Sequence, residues 1–506
     1  MRAHSLASCV TLFFVLFAFA VSSLGQETPP QPSAPRSVKI PVVTERKLPN
    51  GLTVVVVERH GAPLISVRMM FNSGVTSEDI ASAGLVKMTT NLLSKGTATR
   101  SATRIANDIE FLGADISTSV ALDSSSVSLG VTSDKIGPAM TIFADVIRRP
   151  TFPASEIKLA QSQAIDELTY NLKQPSFLAN YVATAYTFNG NPASGTPESL
   201  KAMKREDILE FFKYNIEPNG ATLLFVGDIS PTQAMALART HFGTWKSTVR
   251  TIQGNPVSIT ETAGSVQQRK DADRDQPLVK RMLVIDLPGS GQAAVSYAKQ
   301  LQFAGRVDWN EGKRATIDKE YFPGVVMNSL LGGGYSSRLN QEIRIKRGLS
   351  YGAGSSITWR AYDSRFSTRT QTKNESAPEV VELVLEELKR LAKSNATAVD
   401  VGPRQAALIG DFGRSLETNS SMIGVVADLY DLWLDPSELD RYMSNVQSVS
   451  SDQIRAFAAQ HLNGGDIIIV GDYSIFKDDL AKRFPGMKID VVKADELDLS
   501  KDNLRK

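Results

Sequence analysis

Two segments of this chain repeat each other. Asn219-Gly220 opens "NGATLLFVGDIS" and Asn463-Gly464 opens "NGGDIIIVGDYS", and the two align without a gap 244 residues apart. In both, a turn dipeptide feeds an apolar strand that ends in Val-Gly-Asp. The segments in front, "REDILEFFKYNI" and "SSDQIRAFAAQHL", both carry helical periodicity. A second pair lies upstream, where Ala121, Asp123, Ser124 and Pro138 recur as Ala361, Asp363, Ser364 and Pro378, 240 residues apart. In each copy a strand leads through a Pro-containing loop into a helix. Two matched features at nearly one spacing indicate a duplicated unit. The expectation is an α+β chain of two homologous domains, residues 39–250 and 277–480, and a length of 506 residues has room for both.

The remaining segments read as connectors. Residues 26–38 form a Pro-rich linker, and 251–276 are polar, Gly- and Pro-containing and mixed in charge, as an interdomain linker would be. Residues 481–506 read as a charged tail, expected to fray. At the other end, Arg2 and His4 precede the apolar run "CVTLFFVLFAFAV" and the small residues "SSLG". That is the pattern of a secretory signal peptide over residues 1–25, and its run falls short of the roughly 20 residues that span a bilayer. The mature protein is expected in the periplasm or secreted, without stable membrane insertion. Cys9, the one cysteine, would leave with the signal, so no disulfide supports the fold. A formal net charge of +2 gives no reason to expect nucleic acid as a partner.

A search for catalytic patterns removes most of them. His4, His60, His241 and His461 are the only histidines, and no two lie within five residues, so no helix offers paired imidazoles to a metal. Thiolate chemistry is excluded with the cysteine, and no Gly-x-Ser-x-Gly elbow occurs. The glycine run in "LLGGGYSSRLNQEIR" (330–344) lacks both phosphate-binding signatures and reads as close backbone packing or a turn.

One helix remains unusual. In "GLVKMTTNLLSKGT" (84–97), Val86, Met88, Leu92 and Leu93 supply an apolar stripe. Lys87, Thr90 and Asn91 stand at i, i+3 and i+4, which puts three polar residues on one face. The segment resembles the active-site helix of the pitrilysin/insulinase-like metallopeptidases, the inverzincins, which runs Gly-Leu-x-His-x-x-Glu-His-x-Leu-x-Lys-Gly-Thr. Gly84, Leu85, Leu93, Lys95, Gly96 and Thr97 match that frame. Lys87 stands at the first zinc-binding His, Thr90 at the general-base Glu and Asn91 at the second His.

The resemblance covers about residues 45 to 475 and implies two α+β domains, each a mostly antiparallel sheet packed with helices. It places the third zinc ligand at Glu167, 76 residues after Asn91. One carboxylate does not hold zinc, so no metal or other cofactor is expected on this chain. Lys87 either reaches Glu167 as a fixed charge in place of the metal, or both side chains are solvated. The resemblance also assigns Arg344 and Tyr351, seven residues apart in "RIKRGLSY", as the pair that holds a substrate carbonyl and the developing oxyanion.

A lost metal motif beside a retained Arg/Tyr pair implies divided labour. The expected function is that of an exported, non-catalytic subunit of a heterodimeric peptidase. It would bind peptide and present Arg344 and Tyr351 to zinc held by a homologous partner, while being inactive alone. The alternative is a peptidase-derived binding or scaffold protein without proteolytic role. A third option, a self-sufficient hydrolase built on Glu167, lacks a general base at Thr90.

Overall fold

The computed structural model describes residues 40–248, 276–302, 306–307, 314–361 and 363–506, so the expected signal segment, Pro-rich linker and nearly all of the interdomain connector lie outside the described residues. The first half begins with β1 (Val43–Lys47), β2 (Thr53–Glu58) and β3 (Leu64–Phe71), followed by α1 (Leu85–Leu92) and α2 (Ala102–Phe111). Then come β4 (Asp115–Val120), β5 (Ser125–Thr132), α3 (Ile136–Arg148), α4 (Ala154–Asn171) and α5 (Pro175–Tyr186). α6 (Pro197–Ala202), α7 (Arg205–Asn215), β6 (Thr222–Gly227) and α8 (Pro231–Phe242) complete it.

The second half runs β7 (Val279–Asp286), β8 (Ala293–Leu301), the short pair β9 (Arg306–Val307) and β10 (Thr316–Ile317), α9 (Tyr321–Gly332) and a π-helical stretch, Asn340–Lys346. β11 (Ser350–Thr358), β12 (Ser364–Thr372), α10 (Ala377–Lys393), α11 (Ala398–Ser415) and α12 (Asn419–Asp431) follow. The chain closes with α13 (Glu438–Ser448), α14 (Ser451–His461), β13 (Gly465–Gly471), α15 (Tyr473–Arg483) and β14 (Ile489–Lys493).

Each half is built on a six-stranded sheet, and the orders β1-β2-β6-β3-β5-β4 and β14-β7-β13-β8-β12-β11 correspond position by position. β2 and β6 are parallel, as are β7 and β13, within sheets otherwise mostly antiparallel. The repeated segments are the third strands of this series. Gly220 and Gly464 turn the chain into β6 and β13 with φ of 82° and 74°, a conformation in which a side chain is strained. Both strands are buried along nearly their whole length, as are Val54, Val55, Val56 and Val57 of β2. Strands covered on both faces read as continuous apolar runs rather than alternating ones.

The outermost strand breaks the correspondence. β1 comes from the N-terminal side and pairs antiparallel with β2, whereas β14 comes from the C-terminal side and pairs parallel with β7. The tail expected to fray is therefore ordered structure, a correction to the sequence reading. Val492 is buried on β14, and Leu499 and Leu504 pack into the buried cluster that also holds the core of the first half. Three apolar side chains, spread among charged neighbours without a recognisable period, anchor it.

The halves also exchange helices. α5 lies on β8 and β13 of the second sheet, while α12, which starts 244 residues after α5, lies on β3 and β6 of the first. Leu178, Ala179 and Val182 of α5 share one buried cluster with Ala294, Ala298 and Ile468. Polar contacts fix the register: Thr187 Oγ1 donates to Asp466 Oδ2 at 2.9 Å, and Asn419 Nδ2 donates to the Leu64 carbonyl at 2.8 Å. Arg281 donates to both Asp466 oxygens, at 2.9 and 2.6 Å. Burying one Leu or Val side chain is worth roughly 1.5–3 kcal/mol, so the exchanged helices bind the two halves together.

Candidate functional site

α1 is held at its start by a carboxylate. Glu78 accepts from the Gly84 N–H at 2.8 Å and from the Val86 N–H at 2.9 Å, supplying partners that a helix N-terminus lacks. Burial nevertheless outweighs those bonds and pushes the Glu78 carboxyl up to about 7. Leu85, Val86, Met88 and Leu92 are buried, so the remaining surface of the helix is fixed.

That surface carries Lys87 and Asn91 but not Thr90. Lys87 and Asn91 line a cavity of about 370 Å³ together with Thr118, Gln163 and Glu167. Asn91 Oδ1 accepts from Thr118 Oγ1, 2.8 Å away on the edge strand β4. Thr90 is fully buried, and its hydroxyl donates to the Val86 carbonyl one turn back at 2.7 Å. Positions 87 and 91 differ by about 40° around a helix of 3.6 residues per turn, whereas position 90 lies about 60° to the other side, over the core. The three-residue polar face expected from the spacing is therefore a two-residue face. Lys87 and Glu167 share the cavity without forming an ion pair; the proposed direct charge substitution is not made.

These residues do not fit zinc. A catalytic zinc site takes three protein ligands from His, Cys or carboxylate groups. Lys87 presents an ammonium, Asn91 a neutral amide whose oxygen is already bonded, and Glu167 one carboxylate. Among the described residues there is no group of three or more His, Cys, Asp or Glu side chains that could hold a metal ion.

The second half holds a larger cavity, about 750 Å³, lined by Arg344, Asn340, Tyr335 and Arg369. Its wall also includes Ser176 and Asn180 of α5, the helix donated by the first half. Arg344 projects from the π-helical stretch, and its guanidinium carbon lies 5.0 Å from the centre of the Tyr335 ring. Gly332 is part of the wall. A Cβ there would fall 2.1 Å from the Ser355 amide nitrogen, so Gly332 serves close backbone packing.

Tyr351 is not part of that wall. It stands 89% exposed at the start of β11, the other terminal strand. The register slips between Ser350 and Ala353, and the Ser350 hydroxyl fills the bulge by donating to the Gln371 carbonyl at 2.7 Å and accepting from the Gly352 N–H at 3.0 Å. The bulge turns Tyr351 outward. Arg369 was not singled out in the sequence. Its signal is the period-2 pattern of "SRFSTRTQT", in which Arg365, Ser367, Arg369 and Gln371 alternate with buried residues.

Two lobes of one α+β unit, with a peptidase-type helix in the first and an Arg-bearing cavity in the second, define a two-domain peptidase shell. The model of insulinase (peptidase family M16) matches residues 53–195, and that of the peptidase M16 inactive domain matches residues 202–406. The chain belongs to the M16 peptidase family and is a peptidase-derived protein carrying the inactive-type domain. An uncharacterized zinc protease of Streptomyces coelicolor is 22% identical over 430 residues, covering 83% of this chain and 87% of its own. A Helicobacter pylori protein named non-peptidase homolog YmxG is 21% identical over 429 residues, 84% of this chain and 91% of its own.

Solved structures show the same fold. The peptidase M16 inactive domain from Pseudomonas fluorescens superposes with a TM-score of 0.71 at 24% identity, covering 85% of this chain and 98% of that one. A protease from Helicobacter pylori gives 0.75 at 19%, covering 86% and 100%.

Proposed function

We propose that this chain is the exported, non-catalytic subunit of a heterodimeric M16 zinc peptidase. It grips an extended peptide and supplies Arg344 and Tyr351 to a zinc site held by a homologous partner chain; it carries no metal of its own. The observation that carries this reading is the contrast between the two lobes. The donor set of Lys87, Asn91 and Glu167 does not suit zinc, while Arg344 stands in an open cavity with no carboxylate bonded to it among the described residues. β4 and β11 are terminal strands of their sheets, and a terminal strand has main-chain groups free to pair with an added peptide strand.

The test is reconstitution. The chain alone should not cleave peptides, and a zinc-bearing M16 homologue should cleave them faster in its presence. Arg344→Ala or Tyr351→Phe should then slow turnover by roughly 10²–10³, the scale of losing an oxyanion donor. Chelator-sensitive cleavage by the isolated chain would overturn the proposal.

A second reading, a peptide-binding or scaffold protein without proteolytic role, is favoured by one observation. Tyr351 lies on the exposed bulge, outside the cavity that Arg344 lines. Turnover of the reconstituted pair unchanged in both variants selects this reading.

A further inference from the structure

Three arginines elsewhere are matched by carboxylates: Arg360 with Asp123 and Arg314 with Glu45 across the two halves, and Arg281 with Asp466 within the second sheet. The two in the larger cavity are not. Neither Arg344 nor Arg369 has a carboxylate partner among the described residues, and no Asp or Glu lines the cavity. Several of the neutral groups around them are already engaged. Ser176 donates to Gln371 Oε1 at 3.0 Å, Gln371 Nε2 donates to Gln292 at 2.7 Å, and Ser355 donates to Asn328 Oδ1 at 2.8 Å.

Arg369 stands opposite Gly354 in the β11–β12 register, so no side chain from that position covers its guanidinium. Ser176 belongs to the first turn of α5, a twelve-residue helix whose positive end therefore faces the same space. Two guanidiniums and a helix N-terminus, in a cavity without a negative group, make a local excess of positive charge that an anionic ligand neutralises. The planar forks of the arginines suit a carboxylate in particular.

We infer that this cavity is a carboxylate pocket, that the peptides this chain grips carry an acidic side chain or a free C-terminus placed there, and that Arg369 determines the preference. The inference rests on the reading that the chain binds peptide; it adds the class of peptide. Arg369 is not among the residues assigned to carbonyl or oxyanion contact, so selection and turnover separate.

Binding of labelled extended peptides to the full chain, followed by fluorescence anisotropy, tests this. Three peptides of otherwise equal sequence suffice: neutral with an amidated end, amidated with one internal Glu, and neutral with a free carboxylate. At least one carboxylate peptide should bind about tenfold more tightly than the neutral one, the scale of a charge-assisted contact, and the arm that does so identifies the source. Arg369→Gln should abolish the difference and Arg369→Lys should restore part of it, with the thermal melt of each variant confirming the fold. Equal binding of all three peptides, a preference untouched by Arg369→Gln, or no binding of any peptide would overturn the inference. Equal binding together with partner-dependent cleavage overturns the pocket alone, whereas a carboxylate preference without any partner-dependent cleavage overturns the subunit reading alone.

Discussion

Arg360 clasps Asp123 with both arms of its guanidinium: Nε donates to one carboxylate oxygen at 2.8 Å and Nη2 to the other at 2.6 Å. The contact spans the two halves, and Thr76 Oγ1 donates to the same carboxylate at 3.0 Å. Asp123 is one of the residues that the internal repeat marks, so a position shared by both copies has become a bridge in one of them.

Asp123→Asn should weaken the union of the halves by about 2 kcal/mol near neutral pH, because a partly buried charged pair loses its charge and one oxygen acceptor. Burial alone would raise the Asp123 carboxyl, but the Arg360 and Thr76 contacts outweigh it and hold it below the ordinary carboxylate range. A depressed folded-state value gives stability that is present above the unfolded-state value and lost as pH falls through the folded one. Urea melts should therefore show the gap between wild type and variant constant from pH 8 to about 5, then closing below about pH 4. A gap that persists unchanged in acid would contradict the bridge.

The repeat made the two sheets legible, because buried Val- and Ile-rich strands keep one continuous apolar pattern whatever surrounds them. It did not reveal the helix exchange. The pattern of α5, "PSFLANYVATAY", announces an apolar surface without saying which sheet covers it. Thr90 was misplaced because i, i+3 spacing also connects a polar face to the edge of a core. Arg369 was invisible because one arginine on a polar-facing strand position looks like any solvated cation until the missing carboxylates around it are seen.

The C-terminal segment gives a second prediction, since it joins the second sheet and the first core at once. A chain ending at Phe484 loses β14 with buried Val492, and also Leu499 and Leu504, which are 9% and 4% exposed. Removing three apolar side chains of this kind costs on the order of 5 kcal/mol, and the edge of β7 is left bare. The truncated chain should melt several degrees lower or aggregate on expression. An unchanged melting temperature would return the segment to the status of a solvated tail.

The degenerate helix allows a test by restoration. Lys87, Asn91 and Glu167 already line one cavity, so the backbone there is placed for three ligands even though the side chains do not suit a metal. Lys87→His with Asn91→His should confer about one zinc ion per chain, measured by metal analysis after chelator treatment and dialysis against zinc, and Glu167→Gln in that background should remove it. The wild-type chain should retain none. Peptide cleavage should stay absent in the double variant, since Thr90 is buried against Val86 and offers no base to activate water. Stoichiometric zinc on the wild-type chain, or a folded double variant that binds none, would show that the cavity is not what its residues describe.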